Sequence, residues 1–228
     1  MDVRFLIDTM ESLLGGVPLT LELSVLSISA GIVIAVAFAL LRASSRLGAV
    51  FVRAYVYMLR GTPLLLQIFL IYYGLAQFEL VRESPLWPFL REPFWCALLA
   101  LTLNTAAYGS EIVRGGLQSV PQGAIDAARV AGMSRLLLYR RIVLPLALRQ
   151  ALPAYGNEMI AMVKSTSLAS IVTLMEISGI AYAIISETYR AFETFLCAGA
   201  IYLAINFLLT RGVAWAERRL NPHLRPAA

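Results

Sequence analysis

The sequence predicts an all-α integral membrane protein with five membrane-spanning helices, and three observations carry that prediction. Apolar residues make up 59% of the 228-residue chain and charged residues only 14%, far from the composition of soluble domains. Uncharged apolar runs recur at lengths that can cross a bilayer. The basic residues gather on alternate connections, the pattern that arises when cytoplasmic loops retain arginine.

In order, residues 1–16 read as an amphipathic interfacial helix with Val3, Phe5, Leu6, Met10, Leu13 and Leu14 as its apolar positions. They lack the basic lead and cleavable apolar core of a signal peptide. The first span is about Val17 to Leu41, with Glu22 near its start. The second, about Val50 to Leu75, contains Arg60-Gly61-Thr62-Pro63. Counted from Val50 at about 1.5 Å per residue, Arg60 falls near midplane depth, where charge is expensive and marks function by default. Gly61 and Pro63 loosen the helix there and free carbonyls, with Thr62 between them and Gln67 one turn on. Residues 76–93 carry three prolines and mixed charge and read as an exposed loop. The third span, about Phe94 to Val113, places Asn104, Tyr108 and Glu111 on one helical stripe. That stripe faces a cavity or bonds to a neighbouring helix.

A polar, arginine-rich island follows, from Val120 to Pro145. Ser119, Pro121 and Gln122 predict a capped helix start, and Gly132 a helix stop. Ser134 starts a second helix through Arg140 and Arg141. Ala124, Ala127, Ala128 and Ala131 leave room for another backbone to approach. The fourth span, about Ile142 to Val163, is kinked by Pro145 and Pro153. Near its far end Asn157, Glu158, Lys164, Ser165 and Thr166 gather both charges and several hydroxyls on neighbouring faces. Leu168 to Ile185 is apolar but interrupted by Glu176, Ser178 and Gly179. The last span is about Phe195 to Trp215, and the tail carries Arg218, Arg219 and Arg225.

With five spans, the connections after the first and third spans and the tail hold twelve basic residues, against five on the other side. This predicts an external amino terminus and a cytoplasmic carboxyl terminus. A sixth span at residues 168–185 would send the basic tail outside, so that segment is expected to be re-entrant or to lie on the outer surface. The net charge of +5 is thereby explained by topology, and no nucleic-acid partner is implied. Cys96 and Cys197 read as buried free thiols. The lone histidine, His223, supports neither a histidine-based triad nor a metal cluster within the membrane. Lys164, the only lysine, follows Val163 and not glycine, so no phosphate-binding G-x-x-x-x-G-K-[ST] exists. The chain is not expected to be an enzyme.

The island's spacing is specific. Asp126-Ala127-Ala128, then Gly132, then Ile142-Val143-Leu144-Pro145 resembles the EAA signature of ABC importer permeases, with aspartate for the first glutamate. RGTPLLLQ at 60–67, LTLNTAAYGSEIVRGGLQSVP at 101–121 and LPAYGNEMIAMVKSTSLA at 152–169 resemble the polar amino acid importers within that family, especially permeases for histidine, basic amino acids and opines. The resemblance implies a single transmembrane permease domain over residues 1–228, of the five-helix ABC importer type, with a cytoplasmic coupling loop at about 115–145. It makes Asp126, Ala127, Ala128, Gly132, Ile142, Leu144 and Pro145 the ATPase-coupling residues. It implies a multi-pass location in a bacterial inner membrane. It also implies a cytoplasmic ABC ATPase dimer that binds ATP and Mg, a second permease subunit, identical or homologous, and a periplasmic amino-acid-binding protein. No cofactor is expected in this chain. The substrate-site candidates are Arg60, Thr62, Gln67, Asn104, Tyr108, Glu111, Asn157, Glu158, Lys164, Ser165 and Thr166, with the Glu158–Thr166 cluster preferred. A gradient-driven secondary transporter or channel with a basic loop is the alternative; the absence of an inverted repeat speaks against it.

Overall fold

The computed structural model describes residues 2–220, and its regular elements are all helical. Arg225 and His223 lie outside the described residues. Asp2 caps α1 (Val3–Leu14) by accepting from the Arg4 amide at 3.1 Å. After a two-glycine turn, α2 (Val17–Ser44) is apolar around its whole circumference, as a buried or lipid-facing helix must be. Ser45 caps α3 (Arg46–Gly61), its hydroxyl accepting from the Gly48 amide at 3.0 Å.

The segment expected as one span from Val50 to Leu75 is two helices. Pro63 excludes the helical region for the residue before it, and Thr62 is accordingly extended at φ −114° and ψ 144°. α4 (Leu64–Phe69) resumes the helix and passes into a π turn over Leu70–Gly74. The axes before and after the break differ by 104°. A straight-helix count of depth therefore loses its meaning at Arg60, which stands in the last turn of α3. The expected loop at 76–93 contains two one-turn helices, α5 (Glu79–Arg82) and α6 (Trp87–Leu90).

α7 (Pro93–Gln118) runs past the expected end at Val113. The island forms α8 (Gln122–Val130) and α9 (Arg135–Leu138). α9 continues through a π turn at Tyr139–Val143 into α10 (Leu144–Ser165), so the second island helix and the fourth span are one continuous stretch. Pro145 has no amide to give the carbonyl four residues back, and the widened turn absorbs the mismatch. A 3₁₀ segment at Thr166–Val172 leads to left-handed Thr173 and then α11 (Ile177–Thr188). α12 (Ala191–Leu220) contains the expected last span. By length and apolarity three helical stretches can cross a membrane, Val3–Ser44, Pro93–Gln118 and Ala191–Leu220. The number rises to five if each bent pair counts once, the second pair being Arg135–Val172 with Ile177–Thr188.

α7 is the central helix, packed on α2, α3, α4 and α10. At its closest approach to α2, a Cβ added to Gly31 would stand 2.6 Å from Thr105 Cγ2. Small residues at such crossings let spans gain dispersion contacts where lipid offers no hydrophobic driving force. The main core joins Leu23, Ile68, Leu101 and Met162, and a second one joins Leu13, Ile177 and Ile201 beneath α1. Between them Glu176 is fully buried. It caps α11 by accepting from the Gly179 amide at 2.9 Å and accepts the Tyr202 hydroxyl at 2.7 Å.

Candidate functional site: the α3 break and the α8–α9 elbow

The break between α3 and α4 is stabilised by side chains that take up its freed carbonyls. Thr62 Oγ1 donates to the Met58 carbonyl at 2.8 Å, and Gln67 Nε2 donates to the Leu59 carbonyl at 2.7 Å and the Thr62 carbonyl at 3.1 Å. Asn104 Nδ2, from α7, donates to Gln67 Oε1 at 3.1 Å. Gln67 and Asn104 are buried. These bonds hold the break open and tie it to α7.

Arg60, Tyr108 and Glu111 do face open space. The Arg60 guanidinium lies 4.7 Å from the centroid of the Tyr108 ring, close enough for cation–π attraction. With Thr62 these residues line a cavity of about 710 Å³. They also border a smaller one of about 350 Å³ that reaches Gln150 and Ala154 on α10. Glu111 is bound on both oxygens, by Arg42 at 2.8 Å and Arg114 at 2.6 Å. Sequence reasoning counted Arg42, Arg53 and Arg114 only as topology signals; the folded chain brings all three to the same cavity.

The preferred cluster at the end of α10 is not assembled. Glu158 and Lys164 are six positions apart, which places them about 120° apart around a 3.6-residue helix. Glu158 is half-buried. Lys164 is exposed, and among the described residues the two form no ion pair. Ser165 Oγ donates to the Ala161 carbonyl at 2.9 Å, and Thr166, fully buried, donates to the Val163 carbonyl at 2.7 Å. Asn157 is exposed. The larger cavity is therefore lined from α2, α3 and α7, and neither Glu158 nor Lys164 lines it.

The island folds as two helices about a glycine elbow. Gly132 has φ +76°, a conformation that costs an L side chain but not glycine. Its amide donates to the Arg129 carbonyl at 3.0 Å and the Met133 amide to the Ala128 carbonyl at 3.1 Å, closing α8 in a Schellman-like cap. Ser134 caps α9 at Leu137. The expected cap by Ser119 is a correction: its hydroxyl donates back to the Gly116 carbonyl at 2.8 Å, and Pro121 is the N-cap. Gln122 bonds forward to Asp126 at 3.0 Å, and Asp126 pairs with Arg129 at 3.1 Å.

Ala128 is buried in the elbow's own core with Val120, Leu138 and Val143, and Ile142 packs against that core. Its smallness lets α8 close on the rest of the elbow. Ala127, Gly132 and Leu144 are exposed, and above all Val130 at 90% and Leu136 at 80%. Pro145 is half-buried at the start of α10. Exposed aliphatic side chains on an otherwise charged loop were the missed signal.

A helical membrane protein with a broken helix at an arginine-lined cavity, and a capped elbow presenting an apolar face, has the parts of a transport permease. A family model described as "Binding-protein-dependent transport system inner membrane component" matches residues 27–222, and the chain belongs to that family. It is similar to the octopine transport system permease protein OccM of Rhizobium meliloti, at 59% identity over 225 residues, 98% of this chain and 92% of that protein. It is also similar to the histidine/lysine/arginine/ornithine transport system permease protein HisM of Escherichia coli, at 42% identity over 215 residues, 93% and 90% of the two chains. A solved amino acid ABC transporter with histidines superposes with TM-score 0.86 and 32% identity, over 96% of this chain and 99% of that one.

Proposed function

We propose that this chain is the permease subunit of an ATP-driven importer of polar amino acids, with basic amino acids, histidine or opines as its substrate class. The elbow carries the reading. Gly132 ends α8 at positive φ, and Ala127, Val130 and Leu136 around it are exposed where charge would otherwise be expected. That surface suits a groove on a separate ATPase subunit. Two such subunits, holding ATP and Mg, close on each other and move the elbow. The fused α9–α10 stretch transmits the motion to the helices around the cavity. Differential docking of the two ATPase states supplies the energy for alternating access.

The reading includes five spans in a bacterial inner membrane, an external amino terminus and a cytoplasmic elbow, as the basic-residue asymmetry favours. It includes a second permease, identical or homologous, facing the exposed side of α3, and a periplasmic binding protein that delivers substrate. Residues 1–228 act as a single permease domain.

Cells expressing the chain with its ATPase and binding protein test this. Accumulation of labelled arginine or octopine is expected only when these components, together with the second permease where it is a distinct homologue, are all present. An impermeant thiol reagent should label Glu83→Cys and not Val130→Cys in the same intact cells, since Cys96 and Cys197 are buried. Gradient-driven uptake without the ATPase, or external labelling at residue 130, would overturn the proposal.

A further inference from the structure

The far end of α12 carries a ladder of alternating aromatic and basic side chains. Phe207, Arg211, Trp215 and Arg219 stand four residues apart each time, each the neighbour of the next on the helix surface. The Arg211 guanidinium lies 5.2 Å from the centroid of the Phe207 ring, and that of Arg219 lies 5.1 Å from the centroid of the Trp215 ring. Both distances allow cation–π attraction. Arg218 is exposed beside them, its Nε donating to the Ala214 carbonyl at 3.1 Å. Phe207 and Trp215 are themselves exposed.

The depth of the ladder follows from the other end of the helix. Arg190, just before α12, is tied to Glu193 at 2.8 Å and to Asp2 at 3.8 Å, an ion cluster that belongs at a water boundary. From Arg190 to Arg211 the chain covers about 32 Å of helix, which matches the roughly 30 Å of a bilayer's hydrocarbon core. Arg218 and Arg219 stand about 11–12 Å further along, at the level of the headgroups. Within the span the same side of α12 exposes Leu196, Leu203 and Phe207. None of the three arginines has a carboxylate partner among the described residues. Glu217, their neighbour in sequence, lies at least about 100° round the helix from each of them. The rings steady two guanidiniums and leave their N–H forks without an acceptor.

We propose that this end of α12 binds an anionic phospholipid, with Phe207 and Trp215 against its acyl chains and the Arg211, Arg218 and Arg219 guanidiniums on its phosphate. The proposal needs only that α12 crosses a bilayer and is independent of what the permease carries. The side chains favour a lipid over a protein partner. The guanidiniums begin where the apolar side of α12 reaches the edge of the hydrocarbon, the level of a lipid's own phosphate, and a tryptophan ring suits that level. Forked N–H groups bind phosphate oxygens in pairs. An anionic headgroup is preferred to a zwitterionic one, whose ammonium would be brought against the same arginines.

The full chain, with Trp87→Phe and Trp95→Phe so that Trp215 is its only tryptophan, is reconstituted into phosphatidylcholine vesicles. Increasing shares of dibrominated phosphatidylglycerol or, separately, dibrominated phosphatidylcholine are included, since bromine quenches tryptophan fluorescence on contact. Phosphatidylglycerol is expected to occupy the site at Trp215 at least about fivefold more strongly, what one arginine at a membrane surface supplies. The double substitution Arg211→Gln and Arg219→Gln should remove the preference, and Arg211→Lys with Arg219→Lys should keep part of it. The preference should persist when inorganic phosphate is added at constant ionic strength. Equal quenching by the two lipids, or a preference that survives the double glutamine substitution, overturns the proposal. So does quenching by neither lipid, which would mean that protein covers this face, or loss of the preference to inorganic phosphate, which would assign the site to a soluble anion.

Discussion

The elbow and the helix break solve opposite problems. At the elbow, a charged loop must bury enough apolar surface to hold a shape, so Ala128, Leu138 and Val143 turn inward while Val130 and Leu136 remain outside. At the break, an apolar helix must satisfy the carbonyls it has exposed, so Gln67 and Asn104 turn inward while Arg60 remains outside. In each region the residues conspicuous in the sequence for their chemistry divide into those consumed in making the shape and those left to meet a partner. Ala128 and Gln67 are consumed; Ala127 and Arg60 are left over.

The largest effect separates Ala128 from its neighbour. Ala128→Arg forces an unpaired charge and excess volume into the elbow core and should cost more than about 3 kcal/mol, lowering the melting temperature and abolishing ATPase co-purification together. Ala127→Arg, on the exposed face, should abolish co-purification while stability changes by less than about 0.5 kcal/mol. Thermal melting and pull-down of both variants check this; equal melting temperatures would erase the distinction. At the break, Gln67→Leu leaves the Leu59 and Thr62 carbonyls without their donor and should cost about 1–3 kcal/mol, read as a lower melting temperature. A melting temperature equal to the unmodified protein would return Gln67 to the list of ligand contacts.

Much of this was legible in the sequence because local rules govern it. Gly132 as a helix stop, Ser134 as a cap and Pro63 beside Gly61 as a loosened helix each depend on a few adjacent residues, and each is present in the fold. The rest depends on a longer-range geometry. Periodicity places Ala128 and Ala127 on neighbouring positions but does not say which one meets α9. The hydroxyls of Ser165 and Thr166 look available in a sequence, yet each can satisfy itself on its own helix. Arg42 and Arg114 lie far apart in sequence and meet only through Glu111.

The most direct test of the division between the two regions is uptake by Arg60→Gln in proteoliposomes containing the full assembly, with ATP inside and loaded binding protein outside. Arg60 is exposed at the cavity and takes no part in the elbow. The account predicts that uptake at limiting substrate falls at least about tenfold, the loss of one charge-assisted contact, while the ATPase still co-purifies with the permease. Uptake equal to that of the unmodified assembly would contradict it and move the substrate site away from the α3 break.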